Sequence, residues 1–581
     1  MHYPTLREIE TSREQVDVFK GYNHNLRIGD GEFYDMKNLS SDNYPILSPR
    51  QKRGIYATPI KPHGLISKEL LCYVDGADFV IGEEHIPMGL SDSHKTLISM
   101  GAYVIIMPDK KYINTGKRDE QGNVIDYGDI EANFISTENV TFTLCKIDGS
   151  ANDAVSQATA PSSPKDGDLW IDTSNKPHQL KQYSATSGMW TTIATTYVKI
   201  SCTGIGVPFS KDDGVTIEGV EKYPDLNTST IIHAKGDNYI VITGLIDEET
   251  TQNTAITVAR KMPNMDFIIE SENRLWGCRY GEALNGEMVN EIYASKLGDF
   301  KNWNSFKGIS TDSYAATVGT DGAFTGAITH LGYPLFFKEN CLHKVYGNYP
   351  SNYQIQTTAC RGVQKGCERS LAIVDEVLFY KARSAVCAYD GSLPQEMSTS
   401  LGDIAYKDAV GGTLGNKYYI SMAEAGEKYN LFVFDTKKGL WHKEDDTQAT
   451  AFCNHKGELY YIDRADNQIK AVKGSVGVHE TKPIRWEAIT GLMGTDSPDK
   501  KYISRIDVRM SLNIDTRVVI YAEYDSSGAW EHLFTMAGVN LRSFAVPIKP
   551  KRCDHLRLRF DGYGDAKIFS ICKTIEKGSD T

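Results

Sequence analysis

The fold is decided by a stretch in which one strand-and-turn pattern occurs twice, LFFKENCLHKVYG at residues 335–347 and VLFYKARSAVCAYDG at residues 377–391. In each copy an aromatic-rich strand stops at a charged turn, and a second short strand carries a tyrosine and ends at glycine. A third copy follows as KYYISM at 417–422, LFVFD at 431–435 and GLW at 439–441. Repeats of about 40 to 50 residues built from short strands and turn glycines are typical of β-propeller blades. The repeat therefore predicts an all-β protein built on a β-propeller.

The rest of the chain is organised around this propeller. Its 581 residues allow several domains, and 50 Gly, 32 Tyr and 20 Phe with few helical-period runs favour short strands joined by turns. We predict five consecutive regions: an opening segment at 1–54, a first propeller blade region at 55–130, an inserted β-rich region at 131–264, propeller blades at 265–477 and a C-terminal β-sandwich at 478–581.

The inserted region contains a small module of its own at 160–195. A linker-like stretch, Ala160–Gly167, precedes a hairpin that carries Trp170 and Trp190. Two tryptophans on neighbouring strands can form a miniature core. After residue 478 the strands at 505–510, 517–522 and 555–560 alternate polar and apolar residues, which predicts sheets that are buried on one face, as in a β-sandwich.

Charge and cysteine usage limit the function classes. The formal net charge is −12, from 63 basic and 75 acidic residues, so ordinary DNA recognition through a basic face is not expected. The eleven cysteines show no CxxC spacing, which predicts reduced core residues. No run approaches the roughly 18 apolar residues of a membrane span, and the N-terminus lacks a signal-peptide core. We expect a soluble protein that is not exported by the general secretory route.

No catalytic, cofactor or metal motif is found in the sequence. The adjacent carboxylates Asp212–Asp213 and Asp445–Asp446 are predicted to be solvated turns, because glycoside hydrolysis needs two carboxyls held across a cleft. The glycine-rich run 411–415 lacks the Lys-Ser/Thr of a phosphate loop, and the histidines form no HExxH motif. Three Gly-x-Trp turns do not match the Asp-box spacing of sialidases. The sequence therefore predicts no enzyme, no cofactor and no metal.

The order of motifs resembles the tail nozzle, tail-tubular or virion-stabilisation proteins of short-tailed phages and prophages. The run at 31–50, which ends in Pro49-Arg50, is similar to the opening of that family. The run from Asn273-Arg274-Leu275-Trp276 through Ser295 and Asp299 to Trp303 is the most specific match. The resemblance covers roughly residues 15–110 and 265–475. It implies a structural signature made of the following residues: Arg50, Asn273, Arg274, Trp276, Ser295, Asp299, Trp303, Lys338, Asp390 and Trp441.

The resemblance implies a structural protein of the bacteriophage virion, a tail protein that is made in the host cytoplasm. It would be a homo-oligomeric ring subunit, hexameric by resemblance, in the nozzle or neck. Its partners would be other tail or neck proteins and the genomic DNA, which would pass through the lumen during ejection without specific recognition. An acidic lumen would let DNA slide, because a basic one would hold its phosphates.

A second interpretation is a tail-tip protein that binds a receptor, or binds or cleaves a glycan, through exposed Trp and Tyr on the insertion or the sandwich. A third is a bacterial propeller scaffold unrelated to virions. Particle mass separates the first two, because a ring supports the nozzle and a free monomer or trimer with affinity for sugars supports the receptor protein.

Overall fold

The computed structural model describes residues 11–283, 286–495, 500–548 and 551–577. Within those ranges the chain forms β-strands, with short 3-10 turns and no α-helix. None of the described helices is long and apolar enough to span a membrane. All eleven cysteines lie in the described ranges as thiols outside any disulfide, and nine of them are buried. The 3-10 turns are Pro224–Leu226, Pro350–Asn352, Glu368–Ser370 and Thr399–Leu401.

Seven four-stranded sheets among the described residues are the propeller blades, and neighbouring strands in each are antiparallel where their register is given. Blades 1 and 2 both lie in the range 55–130. In chain order the strands are Pro62–Ser67, Leu71–Asp75, Asp78–Ile81 and Glu84–Pro87 (blade 1); Thr96–Met100, Tyr103–Met107, Lys111–Asn114 and Tyr127–Asp129 (blade 2); Phe267–Ser271, Arg274–Glu282, Met288–Ala294 and Tyr314–Thr317 (blade 3); Gly326–His330, Tyr333–Lys338, Cys341–Tyr346 and Gln354–Ala359 (blade 4); Ala372–Val374, Val377–Lys381, Val386–Tyr389 and Gln395–Glu396 (blade 5); Lys407–Leu414, Lys417–Ala423, Tyr429–Asp435 and Leu440–Lys443 (blade 6); Ala449–His455, Glu458–Asp463, Ile469–Ala471 and Gly54–Ala57 (blade 7).

Blade 7 is completed by a strand from the other end of the chain. Gly54–Ala57 pairs antiparallel with Ile469–Ala471, so residues more than 400 positions apart share one sheet. This pairing ties the start of the propeller sequence to its end.

The chain divides into two compact units, residues 1–95, 336–343 and 357–581 (unit 1) and residues 96–335 and 344–356 (unit 2). In unit 1, aromatic and aliphatic side chains of blade 7 pack against blade 1 on one side and against blade 6 on the other. In unit 2, blades 2 and 3 share a core that includes Ile105, Leu275 and Trp303. Each unit therefore has its own buried core.

The inserted region of unit 2 has three sheets. Its largest core cluster includes Phe142, Ile200 and Ile242 and contains no residue of 160–195. In the module Trp170 and Trp190 meet edge to face, with ring centroids 5.4 Å apart. The strands, sheet by sheet, are Ala132–Ile135, Thr257–Arg260, Gly214–Glu218 and Ser229–Ile231; Ala234–Gly236, Tyr239–Thr243, Tyr197–Ser201, Val140–Cys145 and Thr250–Gln252; and Val155–Gln157, Leu169–Asp172, Gln179–Ser184 and Met189–Thr192 for the module.

The C-terminal β-sandwich of unit 1 is built on the long strand Lys501–Tyr524. Its first half pairs with Ala566–Lys577, and its second half pairs with Leu556–Tyr563. On its other edge Lys501–Tyr524 pairs with Glu531–Val546, and the register of this pairing shifts between Leu512 and Arg517. The remaining strands are Glu531–Val546, Arg552–Cys553, Arg485–Thr490, Thr11–Val16, Gly21–Tyr22 and Glu32–Lys37, with Leu39–Ser40 and Ser48–Pro49 as a separate pair.

The fold class predicted from the sequence is confirmed: the protein is all-β, with a β-propeller, a small inserted β module and a C-terminal β-sandwich. Trp276 and Trp441 are 3% and 2% exposed and are therefore part of the cores of their blades. Strands from the first 54 residues lie in the same sheet as the C-terminal strands. That pairing was not predicted.

Candidate functional site

The candidate site is a cleft of about 1310 Å³ in unit 1, between blade 7 and the sandwich. The loop after blade 6 and blade 7 form one wall, and sandwich strands form the other. Seven cationic side chains and six carboxyls line the cleft. They are Lys37, Arg50, Arg53, Lys470, Lys482, Arg485 and Arg517, with Asp445, Asp446, Asp463, Glu480, Glu487 and Asp561.

The floor is held by Arg53, a fully buried arginine. Its guanidinium donates to Glu444 at 2.8 Å and lies 3.0 Å from a carboxylate oxygen of Asp445. It also donates to the hydroxyls of Thr447 at 2.6 Å and Tyr461 at 2.9 Å. All four groups bind the same buried guanidinium, so the floor of the cleft is a buried, structural network of polar side chains.

Arg50 extends this network toward the sandwich. It binds both carboxylate oxygens of Glu480, at 2.8 and 2.9 Å, and its Nε donates to Asn38 at 2.8 Å. The backbone N–H of Arg53 donates to the same Glu480 carboxylate. Arg50 therefore fastens the segment at 479–484 to the propeller, which is a structural role for this signature residue.

The sandwich wall carries the pair Glu487 and Asp561. These residues are directly opposite each other on neighbouring antiparallel strands, so their side chains leave the sheet on the same face. Arg559 holds Asp561, with its Nη2 donating to Oδ2 at 3.1 Å. Among the described residues, Glu487 has neither a hydrogen bond nor an ion pair through its side chain.

The protein shifts the pKa values of the cleft carboxyls in opposite directions. Burial, followed by the negative charge of Asp561, raises the pKa of Glu487. Burial would also raise the pKa of Asp445, but the guanidinium groups of Arg53 and Arg50 outweigh it and lower that pKa. One cleft thus contains a carboxyl whose pKa is raised, Glu487, and one whose pKa is lowered, Asp445, and carboxyls with shifted pKa values are frequent at catalytic sites.

The signature residues of blade 3 are not among those that line the cleft, and they support the blade. Arg274 is buried and donates to the backbone carbonyls of Ser295 and Ser310 at 2.7 Å. Trp276 packs edge to face against Tyr353. Asn273 adopts a positive φ of 57° in the turn that precedes Arg274.

The other signature residues also have structural surroundings. Asp299 caps a turn by accepting from the backbone N–H of Lys301, and Trp303 is buried. Lys338 is 1% exposed in blade 4, and Asp390 accepts from Ser392 in a turn of blade 5. Trp441 donates from its ring nitrogen to the carbonyl of Met397 at 2.7 Å. Among the ten residues, only Arg50 lines the cleft.

The prediction of solvated aspartate pairs is wrong for one member of each pair. Asp213 is buried and forms an ion pair with Arg260, whereas Asp212 is exposed and pairs with Lys307. The Asp445 carboxylate is 10% exposed and is held by Arg50 and Arg53. Each buried carboxylate is neutralised by an arginine that is close in space but distant in the sequence. Two adjacent aspartates in the sequence therefore do not show that both side chains are exposed to solvent.

No family model and no curated protein matches the chain. Among solved structures, it is similar to PorZ, a surface component of the type-IX secretion system of Porphyromonas gingivalis, at 9% identity and a TM-score of 0.27, covering 88% of this chain and 82% of that one. It is similar to an exo-β-1,3-galactanase from Phanerochaete chrysosporium at 9% identity and a TM-score of 0.21, covering 53% and 94%. It is also similar to a sialidase from Trypanosoma rangeli at 8% identity and a TM-score of 0.22, covering 97% and 95%.

These comparisons contradict the prediction that the chain is not an enzyme, because glycoside hydrolases are among the similar structures. That prediction is withdrawn. The TM-scores are too low for these structures to give this chain a substrate or a catalytic residue, so any such assignment must come from the cleft itself.

Proposed function

We propose that the protein is a glycan-binding β-propeller protein whose cleft cleaves a glycosidic bond. The observation that carries this proposal is the cross-strand pair Glu487 and Asp561 in a polar cleft, with the pKa of Glu487 raised and Asp561 held by Arg559. The cleft of about 1310 Å³ exceeds the roughly 300–1,000 Å³ of small-molecule pockets, which leaves room for several sugar units.

The two carboxyls divide the chemistry by their environments. Protonated Glu487 gives its proton to the leaving glycosidic oxygen while the Asp561 carboxylate attacks the anomeric carbon, and the bond between that carbon and the oxygen breaks. Water then attacks the sugar–enzyme ester, and Glu487 takes one of its protons while Asp561 is released as a carboxylate. The product is a free sugar end, and the enzyme returns to its starting state.

Two successive displacements at one anomeric carbon retain its configuration. The proposed mechanism therefore predicts a product of the same anomeric form as the substrate.

A panel of oligosaccharides tests the proposal by measuring binding calorimetrically and hydrolysis by the release of reducing ends. We expect Glu487→Gln to bind the substrate but to lose about 10²- to 10⁴-fold in kcat, which is the usual contribution of a general acid. The control is Glu427→Gln, an exposed carboxyl outside the cleft. Wild type that binds no oligosaccharide, or E487Q with unchanged hydrolysis, would contradict the proposal.

A second candidate function is the ring-forming virion subunit that the sequence resemblance implies. It is favoured by the strand Glu531–Val546, which among the described residues pairs on one edge only, with Lys501–Tyr524. A long open edge can accept a strand from a neighbouring subunit, and a ring repeats one heterologous contact around its axis. Native mass spectrometry distinguishes the two functions: a closed oligomer, hexameric by resemblance, supports the ring, whereas a stable monomer counts against it.

A further inference from the structure

The wall opposite blade 7 carries a row of three side chains, Arg485, Tyr563 and Arg517. Tyr563 is the direct cross-strand neighbour of Arg485 on one side and of Arg517 on the other. All three line the cleft, and both arginines are exposed while Tyr563 is half-buried. Since side chains in one cross-strand row leave the sheet on the same face, Tyr563 lies between the two arginines in this row.

In the described strand pairs, Arg485 and Arg517 face no carboxylate, whereas Lys37 on the same wall lies directly opposite Glu487. Arg50, Arg53 and Lys470, on the floor and the other wall, form ion pairs with carboxylates. Within the described part of the chain, Arg485, Arg517 and the neighbouring Lys37 and Lys482 form no hydrogen bond or ion pair through their side chains. The unpaired positive charge is thus concentrated at this wall of the cleft in a chain with a net charge of −12.

We propose that the cleft selects a glycan built from carboxylated sugars of the uronic acid class. This inference rests on the proposed glycan-binding function and names its substrate class. A guanidinium can bind a carboxylate through two parallel hydrogen bonds, so Arg485 and Arg517 can hold the acid groups of successive sugars. The ring of Tyr563 offers an apolar face to the sugar ring between them.

The surroundings favour this ligand over a nucleic acid. Glu487 and Asp561 lie on the same sandwich wall as the two arginines, and Asp446 also lines the cleft. Carboxylates repel a closely spaced run of phosphates. A carboxylated glycan carries one charge per sugar, and its uncharged hydroxyls can bind the acidic side chains. The mixture of cationic and acidic side chains that lines the cleft therefore fits a glycan in which carboxylates alternate with neutral hydroxyl groups.

The test compares tetragalacturonate with its carboxyl-reduced counterpart, a neutral galactose tetramer, by calorimetry on the full chain. We expect wild type to bind the acidic tetramer at least about a hundredfold more tightly, which is about tenfold for each arginine. Each arginine contributes about tenfold or more, as charge-assisted hydrogen bonds usually do, so Arg485→Ala with Arg517→Ala should abolish this preference while binding of the neutral tetramer persists. Lys567→Ala removes an exposed cation of the same sandwich outside the cleft and should leave the preference unchanged.

The failures of the two proposals are distinguishable. Equal binding of both tetramers by wild type would keep the glycan function and overturn the substrate class. Binding of neither tetramer, nor of any other oligosaccharide, would overturn both proposals. Tighter binding of a short single-stranded DNA than of tetragalacturonate, lost in the double variant, would assign the row to a nucleic acid and overturn this inference. Circular dichroism of the double variant verifies that any loss is not caused by unfolding.

Discussion

Replacing Arg53 by alanine should destabilise unit 1 more than any exposed arginine would. The variant leaves Glu444 without its guanidinium partner, and the Glu444 side chain is only 4% exposed. Breaking a buried ion pair by removing one partner costs about 3–5 kcal/mol, because the remaining charge stays desolvated. The matched control is Arg361→Ala, whose ion pair with Glu396 is 55% and 37% exposed and should contribute only about 0–1 kcal/mol.

The assay is urea-dependent hydrogen exchange measured by mass spectrometry, which gives the free energy of opening for separate peptides of unit 1. The peptide that spans Glu458–Asp463 reports blade 7, next to Arg53, and its opening free energy should fall by about 3–5 kcal/mol in R53A. Replacing Arg53 and Glu444 together by methionine should recover part of this loss, since Glu444 then leaves no unpaired buried charge and Asp445 keeps Arg50 as its partner. An R53A effect no larger than that of R361A would refute the view that the floor network is a buried, mutually dependent unit.

Three further outcomes are expected. The pKa of Asp445 is lowered, so the ionised carboxylate stabilises the fold above its ordinary pKa of 3.8, and this stabilisation is lost as the pH falls through the lowered pKa. Acid should therefore reduce the free energy of unfolding more in wild type than in Asp445→Asn. Equal acid sensitivity of the two proteins would contradict this. Gly562→Ala would place its Cβ 1.8 Å from the ring of Trp486 and should cost about 1–3 kcal/mol or more in urea unfolding, whereas Gly319→Ala, which meets no atom within 4 Å, should be nearly neutral. Deleting 160–195 should leave the thermal transition of the remaining chain intact, because the main core of the insertion contains no residue of that range, and a cooperative loss of the whole transition would contradict a separate module.

The propeller could be predicted from the sequence because its information is local. Each blade is a run of short strands with turn glycines, and neighbouring strands in the chain are neighbours in the sheet. The same reasoning could not find the strand pairing of Gly54–Ala57 with Ile469–Ala471, since nothing in either short segment specifies a partner so far away.

The candidate site was missed for a similar reason. Glu487 and Asp561 are separated by many residues and look like ordinary polar positions on half-exposed strands, and only the register of the sandwich brings them together. Arg50 was found, but through a family resemblance, and its role in the structure is to bind Glu480. The alternation of charged and apolar residues in the C-terminal strands is a useful signal, because it predicts that the charged side chains of a strand share one face of the sheet. It does not predict that this face lines a cleft.

The most direct test of the glycan-binding cleft is the crystal structure of the Glu487→Gln variant with an oligosaccharide that wild type cleaves. We expect a sugar chain in the cleft, with a glycosidic oxygen within hydrogen-bond distance of residue 487 and an anomeric carbon facing the carboxylate of Asp561. An oligosaccharide bound elsewhere on the protein, with the cleft empty, would contradict it.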